Sequence, residues 1–207
     1  MTTPRYLLLP GWQDSDPSHW QSRWEQAGGF ERLQQDDWWW PRRGDWMMRL
    51  EEALLADPRP AVLVAHSLGC HLVAAWAAHS LHRYRVAAAL LVAPPDLLQA
   101  DTPPQLHHWL PTAAQSLPFA STAVLSSDDP FCKLARGLQM AQAWGSEAVT
   151  LAAAGHINGA SGLGDWPAGR TLLRDLTLRC QPGCGPGGAE TTGPSRSTAP
   201  PDLDGPR

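Results

Sequence analysis

At 207 residues the chain is long enough for one domain of ordinary size with its own core, and 43% hydrophobic against 17% charged residues excludes a disordered or fibrous class. The net charge of −4, with no basic stripe, argues against nucleic acid as the main partner, because phosphate binding needs clustered Lys and Arg. The opening "MTTPRYLLLPGW" has too short an apolar run for a signal peptide, and no run approaches the roughly 20 residues that span a bilayer; no membrane association and a cytoplasmic location are the expectation.

"RYLLLP" (5–10) predicts a strand buried on both faces, since it lacks polar alternation. "SHWQSRWEQAGG" (18–29) predicts a helix: Ser18 and Gln21 have capping-box spacing, Trp20 and Trp24 share a face, and Gly28 and Gly29 end it. A second strand is expected around "LQQDDWW" (33–39). Residues 44–58 predict a helix, with Trp46, Leu50, Ala53 and Leu54 at helical spacing and Pro58 as its stop. A strand "AVLVAH" (61–66), a helix 68–82, and strands 85–94 and 121–127 come next. A helix from Pro130 to about Trp144, a short strand 147–152 and a last helix from Pro167 to Arg179 complete the series. Such alternation implies a three-layer α/β architecture, a mostly parallel sheet with helices on both faces and right-handed crossovers. In these sheets, sites form at the carboxyl ends of the strands.

The segment from Gln181 to Arg207 holds six prolines, six glycines, one leucine and no aromatic residue. It cannot bury enough apolar surface to offset its chain entropy, so residues 4–180 are expected to fold and 181–207 to form a disordered tail. Cys70, Cys132, Cys180 and Cys184 match neither a disulfide framework nor a paired CxxC zinc site, and four free thiols are expected. No HExxH or comparable spacing points to a metal, and neither metal nor cofactor is expected.

Ser67 falls at the end of a predicted strand and just before a predicted helix, in Ala65-His66-Ser67-Leu68-Gly69. This is the G-x-S-x-G nucleophile elbow with alanine at its first small position. The serine of such an elbow sits on a sharp turn where large neighbours would collide, and the helix amides behind it face developing negative charge. Serine is also an ordinary helix N-cap, and the pentapeptide alone does not separate the two roles. His66 is adjacent but leaves the turn from the strand side, poorly aimed at Ser67. Packing or hydrogen bonding beneath the turn suits it better than acting as the base.

An elbow of this kind takes its partners from later strand ends, in the order Ser, then Asp or Glu, then His. "DDPF" puts Asp128 and Asp129 after the strand 121–127, and "AAGHING" puts His156 in a glycine-bounded loop after the strand 147–152. Asp129 before Pro130 also fits an N-cap with proline at the first helical position, and spacing does not choose between the two aspartates. Of the other histidines, His71, His79 and His82 fall within a predicted helix and His107 and His108 in a proline-flanked stretch. In this arrangement His156 takes the Ser67 proton, Asp129 fixes the imidazole tautomer, and Leu68 supplies one oxyanion-hole amide. The second amide is assigned to Trp12, in the loop "LPGWQDS" where Gly11 allows a tight turn.

"LLLPGW", "VAHSLGC", "SSDDPFC" and "GHINGASGLGDWPAG" together resemble the small serine hydrolases of the RBBP9/YdeN family, in the α/β-hydrolase superfamily. The matches run over most of residues 5–170, and the last block is the most specific. The resemblance implies a compact, capless α/β-hydrolase fold with a triad of Ser67, Asp129 and His156; it favours Asp129 over Asp128. Ala65 departs from the superfamily glycine, "PGWQDSDPSHW" is bulkier than a glycine-rich oxyanion loop, and the tail has no counterpart.

The partner expected is a small-molecule ester or amide. Of eleven tryptophans, those at 20, 24, 46 and 76 sit at core-like helical positions, while Trp12 and Trp166 are candidates for pocket walls. "WWWPRR" (38–43) suggests an exposed surface but names no partner. Residues 94–118 read as the longest irregular excursion, too short for a lid domain and placed to shape a pocket entrance. A hydrolase of small carboxylic esters is the leading reading. An amidase or peptidase with the same residues, and a protein-binding module on the same fold, are the alternatives.

Overall fold

In the computed structural model, residues 3–180 are described; the tail expected over 181–207 lies outside the described residues. Six strands, β1 (Arg5–Leu9), β2 (Phe30–Arg32), β3 (Ala61–His66), β4 (Val86–Val92), β5 (Ala120–Ser126) and β6 (Glu147–Leu151), form one sheet in the order β2-β1-β3-β4-β5-β6. Every neighbouring pair is parallel. The helices are α1 (Trp20–Gln26), α2 (Arg43–Ala56), α3 (Leu68–His79), α4 (Leu134–Trp144) and α5 (Pro167–Arg179).

The uninterrupted apolar runs of the inner strands follow from burial on both faces. Leu7, Leu9, Leu63, Ala65 and Leu91 point to one side, into a core with Trp46 and Leu50 of α2, Trp76 of α3 and Trp144 of α4. Leu8, Val62, Val64, Leu90 and Val92 point to the other, against Trp20 and Trp24 of α1 and Leu173 and Leu176 of α5. Period-two alternation thus sorts one strand sequence into two cores.

Four expectations are corrected. The second strand is Phe30–Arg32, not residues 33–39. Leu33 N–H makes one last bond to Leu8 O (2.9 Å). The chain then turns, with Asp37 Oδ1 accepting from the Trp39 and Trp40 amides at 2.8 and 2.9 Å. An aspartate that offers the backbone a local partner favours a turn over a ladder. Helix α1 is capped by His19, whose Nδ1 accepts from Gln21 N–H at 3.1 Å, and not by a Ser18–Gln21 capping box. Gln21 instead donates to Val64 O (3.0 Å). Helix α4 begins at Leu134, with Lys133 as its N-cap, so Asp129 does not cap it through Pro130. The excursion 94–118 is packed down: a 3-10 helix spans Pro104–Trp109, and Trp109 is buried with its indole N–H on Pro41 O (2.9 Å).

Gly69 shows why the elbow needs a small residue at its second small position. A Cβ there would collide with the carbonyl oxygen of Leu9 and lie 2.9 Å from that of Pro10, both backbone atoms of the neighbouring strand end. Gly69→Ala is expected to cost about 3 kcal/mol of stability, because the clash is with main chain that cannot rotate away. A urea-unfolding midpoint checks it against Gly44→Ala, whose Cβ would meet nothing within 4 Å; equal midpoints for the two would show that α3 can shift from the sheet freely.

Candidate active site

At the carboxyl end of β3 the chain reverses into α3 through Ser67, at φ 53° and ψ −123°. Left-handed backbone at a serine costs on the order of 1–3 kcal/mol and persists only where the surroundings impose it. Here Ser67 N–H is held by Val92 O of β4 (2.9 Å). Gly11, at the end of β1, presses from the other side: a Cβ on it would come within 2.7 Å of Ser67 Cβ. Ser67 makes no side-chain cap to α3. Its Oγ lies instead 2.9 Å from Nε2 of His156.

His156 sits in the loop after β6, which β5 holds in place. Ser127 and Ser126 Oγ accept from the Ala153 and Ala154 amides, each at 3.0 Å. Asp128 Oδ1 accepts from Ser126 Oγ (2.7 Å) and from Gly155 N–H (2.8 Å). These bonds, the serine hydroxyl first, hold the Asp128 carboxyl below its ordinary range. Asp128 therefore supports the loop backbone, and Asp129 faces the ring: its oxygens are 3.0 and 2.9 Å from His156 Nδ1. Both partners are buried, with side-chain exposures of 9% for His156 and 3% for Asp129. A carboxylate on Nδ1 assigns the proton to that nitrogen and leaves Nε2 to accept from the Ser67 hydroxyl.

His66 lies beneath the turn. Burial pushes its pKa well below the ordinary 6.5, with His19 and His156 nearby adding to the effect. The neutral ring donates from Nε2 to His156 O (2.9 Å), not to Ser67. The aromatic ring of Phe131 meets His156 edge-on at 4.7 Å.

The structure thus brings Ser67, Asp129 and His156 together from three strand ends. Trp12 and Leu68 border the same cavity, of about 570 Å³, and their amides make no hydrogen bond among the described residues. The Trp12 indole turns away to donate to Trp39 O (3.0 Å). Trp166 is corrected as a pocket wall. It is 3% exposed, packs with Trp20 at 5.0 Å and Trp24 at 6.0 Å, and does not line the cavity. Sequence reasoning missed Asp14, Asp16 and His19, which line the cavity from the loop after β1. The dense polar run "QDSDPSH" at a strand's carboxyl end was the available signal.

Among the described residues, no group of three or more His, Cys, Asp or Glu is arranged to hold a metal ion, and no helix is long and apolar enough to cross a membrane.

The family model described as "Serine hydrolase" matches residues 6–175. A YdeN-like hydrolase from Pectobacterium atrosepticum is 28% identical, with TM-score 0.77 over 87% of this chain and 94% of that one. The ydeN gene product of B. subtilis is 18% identical, with TM-score 0.66 over 85% and 100%. An esterase from Rhodococcus is 14% identical, with TM-score 0.58 over 84% and 91%. Together with the parallel sheet they identify the α/β-hydrolase fold, with no large cap among the described residues. A search of curated proteins finds no match.

Proposed function

The chain belongs to the serine hydrolase family, and from that premise we propose that it cleaves small carboxylic esters by way of an acyl-enzyme on Ser67. The observation that carries this reading is the unbroken line of hydrogen bonds from Asp129 through His156 to Ser67 Oγ, opening on a cavity.

His156 Nε2 takes the serine proton as Oγ attacks the ester carbonyl. Asp129 holds the ring in that tautomer and stabilises the imidazolium. The Leu68 and Trp12 amides receive the oxyanion, each worth roughly 3 kcal/mol in the transition state. The tetrahedral intermediate collapses, the ester C–O bond breaks, and the imidazolium returns its proton to the leaving alcohol. Water then repeats the sequence on the acyl-enzyme, with His156 as base again, and releases the acid. A cavity of about 570 Å³ suits a small substrate. The Rhodococcus relative is itself an esterase.

A fluorophosphonate tests the reading without the natural substrate. One adduct by intact mass on the wild type, and none on Ser67→Ala or His156→Ala, is the expected result. Folded wild-type protein that takes no label would remove the hydrolase reading of Ser67 and turn the search to protein partners. Labelling without turnover of short-chain esters, but with turnover of the matching amides, would favour the amidase.

A further inference from the structure

His156 follows an edge strand, yet its Nε2 must stay within hydrogen-bond reach of Ser67 Oγ at the end of the central β3. The backbone that carries it is not relaxed. In the loop after β6, Ala153 (φ 47°), Gly155 (φ 56°) and Ile157 (φ 50°) all adopt left-handed backbone. For the β-branched Ile157 this is an outlier that costs on the order of 1–3 kcal/mol and persists only where the surroundings hold it.

Side chains hold the loop at every residue from 153 to 157. Ser127, Ser126 and Asp128, at the end of β5, accept from the amides of Ala153, Ala154 and Gly155. The two carbonyls that flank Ile157 are each taken by a ring. His66 Nε2–H donates to His156 O at 2.9 Å, and Trp20 Nε1–H donates to Ile157 O at 2.8 Å. A carbonyl oxygen only accepts, so the His66 proton sits on Nε2.

Of these anchors only His66 belongs to the elbow. It immediately precedes Ser67, so one dipeptide holds His156 at two points: Ser67 Oγ at the ring Nε2 and His66 at the main-chain oxygen, each at 2.9 Å. The His66 ring is itself buried and packed edge-on against His19 at 4.6 Å and His156 at 4.9 Å. We propose, resting on the hydrolase reading of Ser67, that His66 is a positioning residue: its bond to the His156 carbonyl sets the spacing of base and nucleophile and keeps Ile157 from relaxing and turning the imidazole away. Misplacement of a reacting group by about 1 Å costs on the order of 100-fold in rate.

Fluorophosphonate labelling over a range of probe concentrations tests this, because it separates the rate of reaction at Ser67 from binding of the probe. His66→Leu keeps the bulk and removes the donor. Its limiting rate is expected to fall about 100-fold, while the half-saturating probe concentration moves by less than about threefold. His66→Gln, whose amide nitrogen reaches the place of Nε2, is expected to recover to within about tenfold of the wild type, and the shorter His66→Asn is not. Urea midpoints show which variants are folded in the assay. If His66→Leu is not, His66→Gln against His66→Asn decides. In the wild type, NMR of the ring nitrogens is expected to find the His66 proton on Nε2. Wild-type labelling rates in His66→Leu, His66→Gln no faster than His66→Asn, or a His66 proton on Nδ1 would overturn the positioning role and leave the hydrolase reading standing. Wild-type protein that takes no label would sink that reading and the positioning role with it.

Discussion

Asp129→Asn is expected to lower kcat on a short-chain ester by about 10,000-fold, with the fold intact and the ester still bound. The amide cannot accept at both its positions, so it no longer enforces a proton on His156 Nδ1. A ring that shifts its proton to Nε2 has no lone pair for the Ser67 hydroxyl, and an imidazolium formed beside a neutral amide has lost its counter-charge. Asp128→Asn is the matched control. Its amide oxygen still accepts from Ser126 and Gly155, which is all that the Asp128 carboxylate does in the structure. Its loss is expected to stay within about tenfold, a little over one kcal/mol. Steady-state kinetics with the two variants side by side decide the matter, and the reverse ranking would assign the orienting acid to Asp128.

Acid is expected to destabilise the fold well before its carboxylates protonate. His66 is held neutral by burial, with a pKa well below 6.5, and burial pushes His19 and His71 each to about 4. In the unfolded chain the same rings titrate near 6.5. Between these limits the unfolded state binds more protons than the folded one, so stability rises with pH and falls on acidification below about 6.5. Each ring contributes about 1.4 kcal/mol per pH unit in that window, and three acting together about 4 kcal/mol per unit. The depressed carboxyls of Asp16, Glu51 and Asp128 act lower, as the pH falls through the ordinary carboxyl range. Urea midpoints at pH 7.5, 6.5, 5.8 and 5.0 should therefore fall a little between the first two and drop steeply across the rest. A flat profile down to pH 5 would mean that the rings are not held neutral.

Elements with complete burial or with clear apolar spacing were the most legible. β3 reads as a strand because its six apolar-rich residues are buried on both faces, and α3 and α5 because their small or spaced apolar residues fit a sheet surface. The chain order of Ser67, the aspartate pair and His156 was legible because each follows a strand that the sequence predicts. Choosing Asp129 over Asp128 needed the family resemblance, since adjacent carboxylates on one turn point in different directions and spacing carries no direction. β2 was misplaced because three half-exposed edge residues have no periodicity to read. The cap of α1 was misread because a histidine ring took the role that serine usually fills. Trp166 was offered to the pocket because proximity in sequence to His156 says nothing about whether a ring joins a core or a cavity wall. His19 and Asp16 were not singled out, because the polar run that holds them at a strand's carboxyl end reads equally well as a solvated loop.

The three side chains at the centre of the proposal come from places of unequal firmness. Ser67 follows the middle of the sheet, where β3 is flanked by β1 and β4 and buried throughout. His156 follows β6, one of the two edge strands, whose residues are half-exposed or exposed along its length. Edge elements of this kind open locally at far lower free energy than the centre. Transient breathing at one margin, with the rest of the chain native, would part the base from its nucleophile. Function in this molecule would then be a gauge of one edge strand, fading while most of the fold still stands.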